Sequence, residues 1–211
     1  MKKFSIVAVV VLVGACAAPP ARVDTPRTEG PDKAYSVDLP VGWIKQVTQN
    51  RQLLVSRDGI LLDYILISKT SLKEAFPKTK KAASDSLLPA ELAELEISEI
   101  KSQDQFTTAL TLVENEPAEI AGQEGFQLRV RYKNNRGLEI QRVVCGLADK
   151  SAYYQMAFEA PTLYYFDTYY PAFQKAVASF QLGSTSSKKT GSASSHQFVA
   201  ESPTKTGSTA R

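Results

Sequence analysis

The chain has 211 residues, of which 43% are hydrophobic and 22% charged, and this composition is that of an ordinary globular protein with one sizeable core. The formal net charge is +3, and removal of a leader containing Lys2 and Lys3 leaves 23 Lys and Arg against 22 Asp and Glu. A nearly neutral chain does not indicate a nucleic-acid-binding protein. Because Cys16 and Cys145 are the only cysteines, modification of Cys16 excludes an internal disulfide.

The first fifteen residues have the three parts of an export signal. Two lysines give a positive start, residues 4–13 form an apolar segment, and Gly14 and Ala15 are small residues directly before Cys16. At about 1.5 Å per residue the apolar segment spans only about 15 Å, half of a hydrocarbon core of about 30 Å. The pattern therefore predicts a cleaved signal peptide over residues 1–15 and not a transmembrane helix.

The residues at the predicted cleavage point, Val13, Gly14, Ala15 and Cys16, resemble the lipobox of bacterial lipoproteins. The resemblance implies a diacylglycerol thioether on Cys16, cleavage before that cysteine, and acylation of the new amino terminus with a fatty acid such as palmitate. At about 0.8 kcal/mol per buried CH₂, two or three acyl chains hold a protein on a membrane permanently. The alternative is a secretory cleavage that uses Ala15 and Ala17 and releases a soluble protein.

The residues after Cys16 indicate which membrane holds the protein and how far from it the domain lies. In lipoproteins of double-membraned bacteria, Asp directly after the cysteine favours the inner membrane, whereas this chain has Ala17. By that resemblance we expect the outer membrane, with the protein facing the periplasm. Residues 16–32 are rich in Pro and Ala, and they predict an extended tether of up to about 50 Å at about 3.1 Å per residue.

A folded domain is expected over residues 33–182, and its first half mixes strands and helices. Strands are predicted over residues 35–39, from Trp43, and over residues 52–56 and 60–68, the last two as a hairpin across an Asp-Gly turn. A capping-box pattern and apolar spacing over residues 71–87 predict one helix kinked at Pro77, or two short helices. Pro89 then begins a second helix that extends to about Gln103.

The second half of the domain is predicted as an antiparallel meander and a closing helix. The strands are residues 107–113, 126–132, 138–147 and 152–158. Apolar residues then recur every three or four positions over residues 163–180, which predicts an amphipathic helix disturbed in its first part by Pro171. This order of elements indicates an α+β fold in which helices flank an antiparallel sheet.

Both ends of the predicted domain resemble Mog1/PsbP-like domains. The first strand and turn contribute Tyr35, Val37, Leu39, Pro40, Gly42 and Trp43. The end contributes a tyrosine-rich strand over residues 153–158, then Ala160 and Pro161, and a helix that closes in Ala178, Ser179 and Phe180. The resemblance implies an α/β/α sandwich over residues 33–182, as in uncharacterised exported lipoproteins of bacteria. Named relatives, a Ran-binding nuclear transport factor and an extrinsic photosystem II subunit, share no activity, so the fold implies no function.

Catalytic chemistry is not indicated. The only histidine, His196, lies in the Ser/Thr/Gly/Lys-rich residues 183–211, which are expected to be disordered, so the domain has no imidazole base or ligand. Gly122 and Gly125 predict a turn and not a phosphate loop. The spacing leaves a catalytic Ser-Lys pair or a catalytic pair of carboxylates possible. The lysines and glutamates are better explained as residues on solvated helix faces. We expect no catalytic residue, metal or cofactor, and therefore no enzyme.

Basic residues on the predicted central hairpin are the candidates for binding. Strand alternation places residues 126, 128, 130 and 132 on one face of the strand, which is apolar. Residues 127, 129, 131 and 133 lie on the other face, which is mostly basic. The candidate binding residues are Arg129, Arg131, Lys133, Arg136 in the turn, and Arg142 on the partner strand. They could bind anionic lipid head groups, a cell-wall polymer or an acidic partner. The alternative is a solvated face paired with Glu139 and its neighbours.

Cys145 and the tyrosines are expected to be structural. Cys145 lies in an apolar strand, where burial makes a thiol inert. Six tyrosines within residues 153–170 could stack on sugars, but their periodicity favours the core. The expected function is a membrane-anchored lipoprotein that binds an envelope protein or cell-wall component without catalysis. The alternative is a small-ligand carrier or sensor with a cleft between the sheet and the aromatic C-terminal helix.

Overall fold

The computed structural model describes residues 21–46, 48, 52–103 and 110–183. The predicted signal peptide, Cys16 and nearly all of the predicted tail, with His196, lie outside these residues. In the part of the chain that is described, no helix has the length and apolarity to cross a membrane.

The described chain contains eleven strands and two α helices. The elements in chain order are β1 (Ala21–Arg22), β2 (Arg27–Glu29), β3 (Tyr35–Asp38), β4 (Ile44–Gln46), β5 (Leu53–Ser56), β6 (Tyr64–Ser71), α1 (Pro89–Lys101), β7 (Thr111–Ile120), β8 (Gln123–Lys133), β9 (Glu139–Ala148), β10 (Ala152–Pro161), α2 (Asp167–Ser179) and β11 (Gln181–Leu182). Eight strands form one antiparallel sheet in the order β1-β4-β5-β6-β10-β9-β8-β7, and β11-β3-β2 form a smaller one.

The large sheet is covered on both faces, which gives the molecule two apolar cores. On one face, α1 packs through Leu92, Ala93 and Ile100 against β8 and its neighbours. On the other face, α2 and the small sheet enclose a larger core that includes Phe158 and Phe173. Apolar side chains on both faces of a central strand are what this double coverage requires. The predicted α+β fold, with helices flanking an antiparallel sheet, is confirmed.

The chain joins the domain earlier than the predicted boundary at residue 33. β1 pairs with β4, and β2 pairs with β3. Between them Val23 is buried, and the Arg27 guanidinium donates to the Ser179 carbonyl at 3.0 Å and to Asp38 at 3.2 Å. The predicted tether is therefore wrong for residues 21–32, because a buried valine and backbone pairing attach this segment to both sheets.

The predicted helix over residues 71–87 is wrong. A short 3₁₀ turn, Leu72–Glu74, is followed by turns and by an isolated bridge between Phe76 and Lys81. Pro77 explains the difference, because it lacks an N–H and disfavours helical backbone at the preceding residue. Phe76 and Ala83 are nevertheless buried, so the apolar residues of this segment reach the core without forming a helix.

Several other boundaries shift. β6 begins at Tyr64, four residues later than expected, because the Asp63 carboxylate accepts the N–H groups of Arg57 at 2.7 Å and Asp58 at 2.8 Å and holds a longer loop. β7 covers Thr111–Ile120 in place of the predicted residues 107–113. α2 begins at Asp167 and continues through Pro171, whereas the irregular turn precedes it at Thr162–Phe166.

Candidate functional site

A cleft of about 490 Å³ lies between α1 and the face of the large sheet that α1 covers. Polar side chains form much of its wall, which is unusual at a position between a helix and a sheet. They include Ser68, Thr70, Glu74, Glu96, Glu99, Arg142 and Gln155.

The strand register brings the sheet residues of the cleft together. Arg142 on β9 is paired with Glu159 on β10, and Glu159 is paired with Tyr64 on β6. Four residues along β10 from Glu159, on the same face, Gln155 is paired with Ser68. Because paired residues on neighbouring strands lie on the same face, these side chains form a polar strip facing α1. Glu96 and Glu99, one helical turn apart, reach the strip from α1.

Arg142 is the cation of this strip and is 6% exposed. Its Nη1 lies 3.5 Å from Oε2 of Glu159, and the Tyr64 hydroxyl donates to the same oxygen at 2.8 Å. Burial alone lowers the pKa of Arg142, but Tyr64, Glu159 and Glu96 raise it more, so the pKa lies above its ordinary value. The buried Nε of Arg142 has no hydrogen-bond partner.

Glu96 is the buried carboxyl group opposite Arg142. Its two oxygens accept hydrogen bonds from the Tyr153 hydroxyl at 3.0 Å and from the Gln155 amide at 2.7 Å. Burial raises the pKa of Glu96; Arg142 and the two donors lower it, and Glu99 raises it further, with a net increase. Glu96 is therefore protonated more readily than an ordinary glutamate.

Glu99 has a structural role beside the cleft. Its carboxylate accepts the backbone N–H groups of Lys78 at 2.7 Å and Thr79 at 2.8 Å. These bonds hold the turn segment that replaces the predicted helix against α1. The loop thereby forms one side of the cleft through Pro77 and Ala75.

The cleft is equipped to hydrogen-bond a polar molecule. The buried Arg142 Nε and Thr70 Oγ1 are both without partners, and unpaired buried polar atoms are uncommon in folded proteins. Glu74, Glu96 and Glu99 outnumber the one cation in the wall, which disfavours a strongly anionic molecule. Among the described residues, no three His, Cys, Asp or Glu side chains come together as metal ligands would.

The five basic candidate residues do not form one face. Arg142 is paired with Val130, so it shares the α1 side with the apolar residues of β8, whereas Arg129 and Arg131 point to the α2 side. The grouping of Arg142 with the others is wrong because a residue's face depends on strand register. Lys133 ends β8, and Arg136 lies in the exposed turn after it.

Two of the remaining arginines have acidic partners. Arg129 lies 3.3 Å from Glu114, and its guanidinium stacks 5.1 Å from the Tyr170 ring centre. Arg131 lies 3.5 Å from Glu139. These pairs agree with the alternative of a solvated, charge-paired face, and binding by Arg129, Arg131, Lys133 and Arg136 stays a prediction.

Cys145 is buried as expected, and burial, with a smaller contribution from Glu114, raises the pKa of its thiol to about 12. The six tyrosines differ in burial. Tyr153 and Tyr154 are buried, and Tyr164 is largely exposed. The other three, Tyr165, Tyr169 and Tyr170, are partly buried against the core. Between the sheet and α2, where a ligand cleft was the alternative hypothesis, aromatic rings pack together: Phe158 lies 5.8 Å from Phe173, and Phe166 lies 5.2 Å from Tyr170.

Sequence reasoning missed Glu96, which it placed on the solvated side of the helix. The available signal was its spacing, because Glu96 stands four residues from Leu92 and four from Ile100, on the apolar stripe itself. A charged residue on such a stripe indicates a buried polar partner. The partners, Tyr153 and Gln155, lie almost sixty residues away and have no local signature.

No family model matches the chain, and no curated protein matches it. Solved structures are similar. The cyanobacterial PsbP (CyanoP) of Synechocystis matches with a TM-score of 0.53 and 14% identity over 81% of this chain and 98% of that one. The Ran-binding protein Mog1p of Saccharomyces cerevisiae matches with a TM-score of 0.48 and 12% identity, over 76% and 96% of the two chains. LpqN of Mycobacterium tuberculosis, involved in cell envelope biogenesis, matches with a TM-score of 0.38 and 15% identity, over 79% and 90%. The similarity to CyanoP shows that the fold is PsbP-like, and an identity this low shows the fold alone.

Proposed function

We propose that this protein is a lipid-anchored, non-enzymatic binding module of the cell envelope that holds a small polar ligand in the cleft under α1. The observation that carries the binding proposal is the buried Arg142, whose Nε lacks a partner, beside the buried Glu96. The lipobox-like residues before Cys16 support the anchor, and Ala17 supports the outer membrane, facing the periplasm.

The composition of the cleft supports a binding role over a purely structural one. Burying charged groups costs free energy even when they are paired, and apolar side chains of similar size would stabilise the fold at least as well. The chain nevertheless places Arg142, Glu96 and Gln155 where the helix meets the sheet. A bound molecule with hydrogen-bond acceptors and donors would satisfy the free Arg142 Nε and Thr70 Oγ1.

The chemistry of the walls limits the ligand to a class. Three carboxyl groups against one guanidinium disfavour phosphate or polycarboxylate, and favour a neutral or cationic molecule with hydroxyl, amide or amino groups. Small sugars, amino sugars and short peptides of the cell wall have this chemistry. This version of the ligand-carrier hypothesis differs from the predicted one, which used the α2 side.

A photo-crosslinking experiment in cells tests the cleft. A photoreactive amino acid replaces Glu74, which lines the cleft, and in a matched control it replaces Glu94, which is exposed on α1 but does not line it. We expect a small-molecule mass increment on irradiation at position 74 and none at position 94. No increment at position 74, equal increments at both, or only protein-sized adducts would overturn the ligand proposal, and the last result would favour an adaptor.

The anchor is tested separately by the mature amino terminus. We expect wild-type protein in the membrane fraction with a diacylglyceryl group on Cys16, and Cys16→Ser protein in the soluble fraction. Mass spectrometry of the first peptide measures both. An unmodified mature start at Ala18 would show secretory cleavage and overturn the anchor.

A further inference from the structure

Exposed apolar side chains are concentrated at one end of the large sheet. Six large apolar residues there, between 39% and 84% exposed, will be called the apolar end: Val41, Ile60, Leu61, Leu138, Leu163 and Tyr164. Single exposed apolar residues are ordinary, but a set gathered at one end of a molecule indicates a contact surface.

Strand register shows that the loops carrying these residues share one end of the sheet. Tyr64, the first residue of β6, pairs with Glu159 near the end of β10. Pro161, the last residue of β10, pairs with Ile140 near the start of β9. The β5–β6 loop, the β8–β9 turn and the turn after β10 therefore emerge side by side. Ile60 and Leu61 indeed line one shallow cleft with Arg136.

The turn after β10 presents its apolar residues in a strained backbone. Tyr164 has a φ of +73° and a ψ of −58°, a rare γ-turn conformation that costs about 1–3 kcal/mol. Leu163, the most exposed large apolar residue among those described, precedes it. Tyr164 lies 5.3 Å, ring centre to ring centre, from Tyr165. Tyrosines beside exposed aliphatic residues are typical of surfaces that sit at the boundary between lipid and water.

The start of the described chain lies nearer this end than the other. Register places Ala21 level with Lys45, Val55, Ile65 and Phe158 across four neighbouring strands. On β10, Phe158 stands three residues from Pro161 at the apolar end and six from Ala152 at the other. At about 3.3 Å per residue these distances are about 10 Å and about 20 Å.

The length of chain before Ala21 sets how far the domain can lie from a lipidated Cys16. Five residue steps separate the two, which reach at most about 17 Å. Because residues 21–32 belong to the folded domain, the tether is much shorter than the expected 50 Å or so. A bilayer that holds the acyl chains therefore lies within reach of the apolar end.

We infer that the apolar end rests on the bilayer that anchors the protein, with Leu163 and Tyr164 entering the head-group region. The inference rests on the proposed lipidation of Cys16. Exposed charges at this end have both signs, Arg22, Arg57 and Arg136 with Asp58 and Asp167, so apolar insertion is the main contact. The lipid thereby orients the domain as well as holding it.

A fluorescence experiment on the full lipidated chain tests this orientation. Leu163→Cys is labelled with an environment-sensitive fluorophore and reconstituted into phosphatidylethanolamine and phosphatidylcholine vesicles containing lipids brominated near the head group. Labelling is selective, because Cys145 is buried and Cys16 carries lipid. The matched control is Leu88→Cys, which is exposed and precedes α1 beside the β7–β8 turn, at the opposite end of the sheet.

We expect a blue shift and at least a twofold loss of emission from brominated lipid at position 163, and neither change at position 88. Equal quenching at both positions, or none at position 163, would overturn the inference. Flotation of the vesicles and the mass of the amino-terminal peptide measure lipidation independently of the fluorescence. A chain that carries lipid and floats but shows no quenching refutes only the orientation, whereas a chain without lipid refutes the anchor.

Discussion

At the scale of single residues, Arg142 and Glu96 carry the candidate site. Both belong to strongly patterned elements, and both break the pattern, Arg142 in an apolar strand and Glu96 on an apolar helix stripe. Arg142 was identified from the sequence, but with the wrong neighbours, since its face follows from its register with Val130. Glu96 went unnoticed although its spacing from Leu92 and Ile100 places it on the apolar stripe of α1.

Removal of a buried charge at Arg142 should cost far more than removal of an exposed one. We expect Arg142→Gln to lower the free energy of unfolding by about 3–5 kcal/mol, because Glu159 and Glu96 are left buried without their cation. The control is Arg131→Gln, which breaks a half-exposed pair with Glu139 and should cost about 0–1 kcal/mol. Urea unfolding measures both. Equal losses would mean that Arg142 is solvated.

Glu96 should make stability depend on pH. Because its pKa is raised in the fold, the folded protein binds this proton more tightly than the unfolded chain, and the stability that results is lost as pH rises through the folded pKa. We expect the stability of wild type relative to Glu96→Gln to fall as the pH rises above the ordinary glutamate pKa of 4.5, by about 1.4 kcal/mol for each unit by which the fold raises the pKa. Melting temperatures across this range measure it, and a difference that stays constant contradicts the prediction.

At the scale of elements, apolar periodicity predicts an element correctly where that element is long. α1 begins at Pro89, and β8, β9 and β10 cover the predicted residues with ends displaced by a few positions. It fails for short segments such as β1 and β2, whose pairing partners are strands that come later in the chain. Proline-rich composition around residue 26 indicates an extended chain equally well in a tether or at a sheet edge.

The first strands should contribute to stability. A chain that starts at Lys33 loses the buried Val23 and the hydrogen bonds of Arg27, and we expect it to unfold at least about 1.5–3 kcal/mol more easily than a chain that starts at Ala21. Thermal unfolding of the two chains measures this. The control is a chain that ends at Gly183, which keeps every described element and should match the full-length melting temperature. If the chains that start at Ala21 and at Lys33 are equally stable, the result would support the predicted tether.

At the scale of the whole molecule, one sheet separates two cores of different character. The α2 side is filled by aromatic rings that pack on each other, whereas the α1 side leaves a polar cleft. This asymmetry moves the ligand hypothesis from the aromatic helix to α1. The two ends of the sheet also differ, because exposed apolar residues gather at the end nearer the start of β1.

The sequence by itself determined the features that depend on neighbouring residues. These are the α+β class, the meander of strands and the burial of Cys145, since apolar periodicity is a local property. The export signal and its lipobox resemblance stay predictions from the sequence. Only the tertiary structure decided which face Arg142 occupies, that Glu96 is buried with Tyr153 and Gln155, and that residues 21–32 are part of the domain. It also gathered six apolar residues from four loops at one end. The physical reason is that register and packing join residues far apart in the chain, and no local pattern records such contacts.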